Sequence, residues 1–168
     1  MKKYNLGGFA MFAQNIKTPE QTTKMIQTLK ENSKIPLFFG IDEEGGIVAR
    51  IANNSSFGVK NVEGGMESIG TTGDPTNAFK AAEYIGSYLE KYNFNLDFAP
   101  VCDVNTNPKG NNMRDRSFSN DPNIVAKMVE QYIKGLHEHK ILSTVKHFPG
   151  TGDESADTHQ QFVIINKS

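Results

Sequence analysis

Three segments of this sequence begin with a short polar capping residue directly before proline: Thr18-Pro19, Asp74-Pro75 and Asp121-Pro122. The side-chain oxygen of such a residue accepts a hydrogen bond from an amide of the first helical turn, and proline at the first helical position has no amide to leave unsatisfied. Each pair starts a helix, and no other feature constrains the architecture as tightly. After Thr18-Pro19, Gln21 completes a capping box, and Met25, Ile26 and Leu29 keep helical spacing until Asn32 and Pro36 end the pattern. The second helix is expected over 75–92 with Phe79, Ala82, Ile85, Gly86 and Leu89 facing inward. The third is expected over 122–139, through Val125, Met128, Val129, Tyr132 and Leu136.

Between the helices lie short apolar runs at 7–12, 36–41, 96–101 and 141–145. They are rich in β-branched and aromatic residues and do not strictly alternate, which is the pattern of parallel strands covered on both faces. Strands alternating with helices make an α/β fold, and right-handed crossovers wind them into a doubly wound sheet or a barrel. The polar segments 42–46, 103–108 and 146–152 tip the choice, because each follows at once on a strand's carboxyl end, where barrel active sites are built. The expectation is a TIM-barrel-like (β/α)8 fold. A closed barrel needs eight strands and typically about 250 residues. Four strands and the start of a fifth near 162–165 can be read here, so a partial barrel of about four to five β/α units is expected.

One domain over 1–168 suffices for a chain of this length. A hydrophobic fraction of 37%, a charged fraction of 22% and 15 glycines describe a globular protein with many turns rather than a disordered one. The 18 basic and 19 acidic residues are scattered and nearly cancel, which leaves no footprint for nucleic acid. No run approaches the roughly 20 apolar residues of a membrane helix, so no membrane partner is expected. The start Met1-Lys2-Lys3-Tyr4-Asn5 lacks the apolar core of a signal peptide. The cytoplasm is therefore the default compartment, although a clipped amino end would remove a signal from view. Cys102 is the single cysteine; it cannot make an intrachain disulfide, and its apolar surroundings suit a buried, inert thiol.

Chemistry-bearing residues concentrate in three clusters. The densest runs from Lys146-His147-Phe148-Pro149-Gly150 to Asp157-Thr158-His159. In an extended segment Asp157 and His159 fall on the same side, and a carboxylate beside an imidazole fixes its tautomer for general acid/base work. The second cluster sets Asp42 at a strand end, then the Gly45-Gly46 turn, then Arg50, a pair suited to vicinal hydroxyls. The third is a polar loop from Asn105 to Arg114 and Arg116, whose arginines suit a ligand below. His137 and His139 end a helix and need no functional account. Gly45-Gly46 is followed by neither a lysine-serine pair nor a helix start, so a phosphate cradle is not supported. The histidine and carboxylate set His147, Asp153, Asp157 and His159 is the sharpest rival, as a metal site, but no His-x-His or His-Glu-x-x-His spacing supports it. Neither a metal nor an organic cofactor is expected.

Taken together and in this order, the clusters resemble the barrel domain of family 3 glycoside hydrolases of the β-N-acetylglucosaminidase type. That family's pieces read approximately IDxEGGxVxR, NFAPVxDVNxNP followed by RSF, and KHFPGxGDxxxDSH. Here they correspond to 41–50, 96–108 followed by Arg116-Ser117-Phe118, and 146–159; Gly7-Gly8-Phe9 and Gln14-Asn15-Ile16 extend the likeness over essentially the whole chain.

The resemblance implies that Asp42, Arg50, Arg116, Lys146 and His147 bind the N-acetylglucosamine unit, that His159 is the acid/base and that Asp157 assists it in a retaining double displacement. It also implies that Asp103 orders neighbouring loops rather than acting as nucleophile. Ile47 and Thr151 replace an arginine and a histidine common in the family's patterns. The family's aspartate nucleophile lies in a later strand-end motif, and it begins with a helix and strand ahead of the Gly-Gly-Phe strand. Both ends are therefore expected to be missing, with the rest of the barrel as a polypeptide partner beside the carbohydrate substrate. The alternative is an inactive sugar-binding or gene-model fragment. The implied substrates are terminal β-linked N-acetylglucosamine units of peptidoglycan fragments or chitin oligosaccharides.

Overall fold

The computed structural model describes residues 4–107, 113–152 and 154–164, without the side chain of Arg114. Strands β1 (Gly8–Met11) and β2 (Phe38–Ile41) flank helix α1 (Pro19–Glu31); a hairpin of β3 (Glu43–Gly45) and β4 (Val48–Ala49) follows. Helices α2 (Gly65–Thr71) and α3 (Pro75–Lys91) then lead to β5 (Leu96–Asp97), and α4 (Pro122–Glu138) leads to β6 (Leu142–Ser143).

All three polar-proline pairs start helices. Thr18 Oγ1 accepts from the Gln21 amide at 3.2 Å, Asp74 Oδ1 from Thr76 at 2.9 Å and Asp121 Oδ1 from Asn123 at 2.8 Å. Gln21 does not close the expected box on the Thr18 amide; its side chain accepts from Lys17 instead, one residue further out. At the other end, α3 and α4 stop in the same way. Asn93 (φ 67°) and Lys140 (φ 58°) turn left-handed, and the next amides, of Phe94 and Ile141, reach back to the carbonyls of Leu89 and Leu136. Each helix is thereby aimed directly into the following strand.

The sheet order is β1-β2-β5-β6 and every pairing in it is parallel. Each new strand joins the same growing edge, which is barrel winding; a doubly wound sheet would reverse direction at a switch point. This four-stranded arc is part of a (β/α) barrel. Strand β5 is shorter than its apolar run because Pro100 brings no amide to the ladder. Pairing resumes beyond it, where the Cys102 amide donates to the Lys146 carbonyl at 2.7 Å. Residues 162–164 are not in a strand, and Ile165 lies outside the described residues.

The core lies between sheet and helices. Phe39, Ile41, Ala99 and Val101 meet Ile85, Leu89, Met128, Tyr132 and Leu136, all buried. Full burial of each large apolar side chain is worth about 1.5–3 kcal/mol. Ala78 and Tyr88 are buried as well, while Phe79 is only half-buried. Helices α3 and α4 approach so closely that a Cβ at Gly135 would lie 2.3 Å from the Phe79 carbonyl oxygen. No described helix is long and apolar enough to cross a membrane. Cys102 is half-buried, and burial together with the Asp103 charge pushes its thiol up, away from the reactive thiolate.

Candidate active site

The carboxyl ends of β2, β5 and β6 converge, and side chains beyond them form one polar network. It begins at Asp42, directly after β2, whose Oδ2 accepts from Arg50 Nη2 at 3.3 Å and whose Oδ1 accepts from Lys146 Nζ at 2.8 Å. Lys146 Nζ also lies 2.5 Å from Glu44 Oε1. Glu44 in turn takes the Arg116 guanidinium in a two-pronged pair, Nε to Oε2 and Nη2 to Oε1, both at 2.8 Å. Arg116 Nη2 reaches His147 Nε2 at 3.2 Å, and His147 Nδ1 meets Asp103 Oδ2 at 2.6 Å. The five residues implied as sugar ligands, Asp42, Arg50, Arg116, Lys146 and His147, are thus brought together.

Glu44 was not among the sequence candidates, yet it is the link between the Asp42–Lys146 half and the Arg116–His147 half. Its side chain is 1% exposed. The signal was present: residues 42 and 44 lie two apart at a strand end and share a face, whereas Glu43 between them points the other way. Glu43 is fully buried and accepts from the Arg50, Ile51 and Ala52 amides and from the Tyr88 hydroxyl, at 2.6, 2.9, 2.9 and 2.9 Å. It anchors the return of the hairpin and so places Arg50 opposite Asp42. At the hairpin tip Gly45 (φ 87°) and Gly46 (φ 61°) adopt left-handed backbone, and a Cβ on Gly46 would lie 2.8 Å from the Gly65 Cα at the start of α2.

Asp103 orders the third cluster. Its Oδ2 accepts the His147 amide at 3.1 Å as well as the ring, and its Oδ1 accepts the Thr151 amide at 2.5 Å. Burial pushes this carboxyl up, but the hydrogen bonds from His147 and Thr151 outweigh it and hold the group below the usual carboxylate range. Asp42 behaves alike: burial raises it, and the bonds and charges of Lys146 and Arg50 bring it lower still. Asp97 differs. Fully buried, with Oδ1 on the Glu43 amide and Oδ2 without a partner, it is pushed far up by burial and by the neighbouring Glu43.

Asp157 and His159 form a separate pair. Both the His159 amide and its Nδ1 approach Asp157 Oδ1, at 2.9 and 2.8 Å, in a turn rather than the extended segment expected. The hydrogen bonds from His159 hold the Asp157 carboxyl below its ordinary range. The His159 side chain is 74% exposed. It shares with His147 a cavity of about 450 Å³ whose walls include Met113, Phe148, Pro149 and Val163. The Asp153 of the metal alternative lies outside the described residues; His147 and His159 each pair with a carboxylate. Among the described residues no group of three or more potential ligands converges.

The model of the glycosyl hydrolase family 3 N-terminal domain matches residues 1–168. The chain belongs to glycosyl hydrolase family 3. It is 39% identical to β-hexosaminidase A of Pseudoalteromonas piscicida over 168 residues, which covers 95% of this chain and 27% of that protein. Among solved structures, a family 3 β-N-acetylglucosaminidase from Paenibacillus sp. str. FPU-7 aligns with TM-score 0.85 and 35% identity, covering 92% of this chain and 29% of the other. NagZ from Neisseria gonorrhoeae, in complex with N-trifluoroacetyl-D-glucosamine, aligns with TM-score 0.83 and 27% identity, covering 93% and 46%. The chain thus spans between a quarter and a half of the length of these relatives.

Proposed function

We propose that this family 3 chain carries the sugar-binding and acid/base part of a retaining β-N-acetylhexosaminidase that removes terminal β-linked N-acetylglucosamine. The observation that supports this reading best is the cavity that joins the Asp157–His159 pair to His147 of the charged network. A sugar bound over Asp42, Arg50, Arg116 and Lys146 would meet both a carboxylate and fixed cationic donors, which suits hydroxyl and acetamido groups. The ligand in the Neisseria structure is of the same sugar class.

In the first step His159, protonated and oriented by Asp157, gives its proton to the leaving glycosidic oxygen as a carboxylate attacks the anomeric carbon. In the second, the neutral imidazole takes a proton from water as that water displaces the carboxylate. No residue of 1–168 is assigned the nucleophile; a carboxylate from a later strand end supplies it.

The test is hydrolysis of a chromogenic β-N-acetylglucosaminide by the 168-residue chain, by a version extended through the downstream reading frame, and by His159→Ala of the extended form. Turnover in the extended form, falling by about 10²-fold or more in His159→Ala, supports the assignment. Sugar binding without turnover in a folded, extended protein leaves only a binding module, and the absence of both binding and turnover overturns the proposal. Robust turnover by the 168-residue chain would place the nucleophile within it.

A further inference from the structure

We infer that Glu44 acts as a positioning residue which, through Arg116, holds a donor against His147 Nε2 and so reinforces the ring proton site that Asp103 sets at Nδ1. A guanidinium has only donors, so the 3.2 Å contact between Arg116 Nη2 and His147 Nε2 requires a lone pair on Nε2. The ring proton then sits on Nδ1 and is donated to Asp103 at 2.6 Å. Arg116 is oriented for this by Glu44 alone among the described carboxylates in hydrogen-bond contact with it. The fork engages Nε on one oxygen and Nη2 on the other, which fixes the guanidinium plane.

The path Glu44–Arg116–His147–Asp103 therefore has a polarity, with each donor and acceptor dictated by its neighbour. A carboxylate at each end is what allows two nitrogen bases between them to be ordered. One consequence is that both nitrogens of His147 are engaged, so that ring is held out of proton transfer. His159, with Nδ1 on Asp157, is left as the imidazole that exchanges protons in the shared cavity. This bearing on catalysis rests on the glycosidase reading above, whereas the tautomer itself does not.

The experiment is nitrogen NMR of the imidazole rings in the full chain at a pH about two units above the ordinary imidazole value of about 6.5, with His147 assigned by His147→Gln. In the unsubstituted protein His147 should give one protonated-type signal for Nδ1 and one lone-pair-type signal for Nε2. In Glu44→Gln the carboxamide offers a single acceptor oxygen and turns donors toward Arg116 and Lys146, so the fork is lost. The His147 Nε2 signal should move toward that of a lone pair without the Arg116 donor, with Nδ1 still protonated against Asp103, while the signals of His159 stay unchanged. Arg116→Lys, which keeps Glu44 and its contact with Lys146 but has no fork, should show the same Nε2 shift. It decides the question if Glu44→Gln fails to fold.

A purely structural Glu44 would alter stability and leave the ring signals of the folded protein in place, and that result would overturn the inference. So would an Nε2-protonated His147 in the unsubstituted chain. Titration of N-acetylglucosamine into the same samples separates the two proposals. An intact tautomer signature with no sugar binding counts against the proposed function and leaves the role of Glu44 standing.

Discussion

Asp103 accepts from His147 twice, through the backbone amide at 3.1 Å and through Nδ1 at 2.6 Å. One side chain therefore fixes both where the residue sits and how its ring is turned. An Asp103→Asn substitution would set a second donor against His147 and remove the charge that draws in the Thr151 amide. The expected loss is about 2 kcal/mol, the scale of charged hydrogen bonds. Urea unfolding of the two proteins measures it, and an unchanged midpoint would show that the loop is held by other means.

The same carboxylate and Asp42 give acid sensitivity a definite sign. Their folded-state values lie below the ordinary range, so the stability they add is present above a pH of about 4. It is lost as pH falls through those lowered values. Thermal melts from pH 7 downward should show a drop below about pH 4 that is shallower in Asp103→Asn.

Asp97 has the opposite sign. Its folded value is raised, so the native state favours the protonated group, and stability is lost as pH rises from the ordinary carboxylate value toward the raised one. Asparagine keeps the acceptor for the Glu43 amide and cannot ionise. Asp97→Asn should change stability by less than about 1 kcal/mol in mildly acidic solution and become relatively more stable than the parent as pH rises. Melting temperatures at pH 5 and pH 8 compare the two, and a uniform large loss would mean that the carboxylic acid does more than the amide can.

Helix α2 rests on the segment after Arg116 with no room to spare. A Cβ at Gly70 would stand 1.6 Å from the Phe118 carbonyl oxygen. Gly70→Ala should cost about 3 kcal/mol or more, read as the urea midpoint, because backbone rather than a flexible side chain must move.

Lys140 pays for its left-handed backbone with Cβ crowding that glycine lacks. Lys140→Gly, on an exposed position, should raise stability by up to about 1 kcal/mol. A fall instead would mean that the flexibility gained by the unfolded chain dominates.

The helices were legible because Thr18, Asp74 and Asp121 act through neighbours two or three residues away. The four strands of the parallel sheet were legible because such strands are covered on both faces; the fifth expected near 162–165 is not a strand over 162–164, and the β3–β4 hairpin was not foreseen. Helix α2 was not: it starts at Gly65 behind Gly64, with no side chain capping its first turn, and its place is settled by contact with Gly46 and Phe118, far away in sequence. Among the site residues, Asp42, Arg50, Arg116, Lys146 and His147 could be named from the family pattern, but their common junction could not. Glu44 meets partners 72 and 102 positions later, at Arg116 and Lys146, and only the folded chain shows that its carboxylate serves both. Glu43 escaped notice for a related reason, since its partners are mostly backbone amides, which no residue pattern displays.

Residues 42, 43 and 44 are three acids in succession, and the alternating pleat sends the first and third toward Lys146 and the charged network and the second into the interior. Chemically near-equivalent groups one peptide unit apart thus hold unrelated occupations, set by parity alone. Deleting a single residue upstream of this triplet would leave every carboxylate in the sequence and exchange all their posts, so a copy of the gene with its acids intact could still lose the whole network.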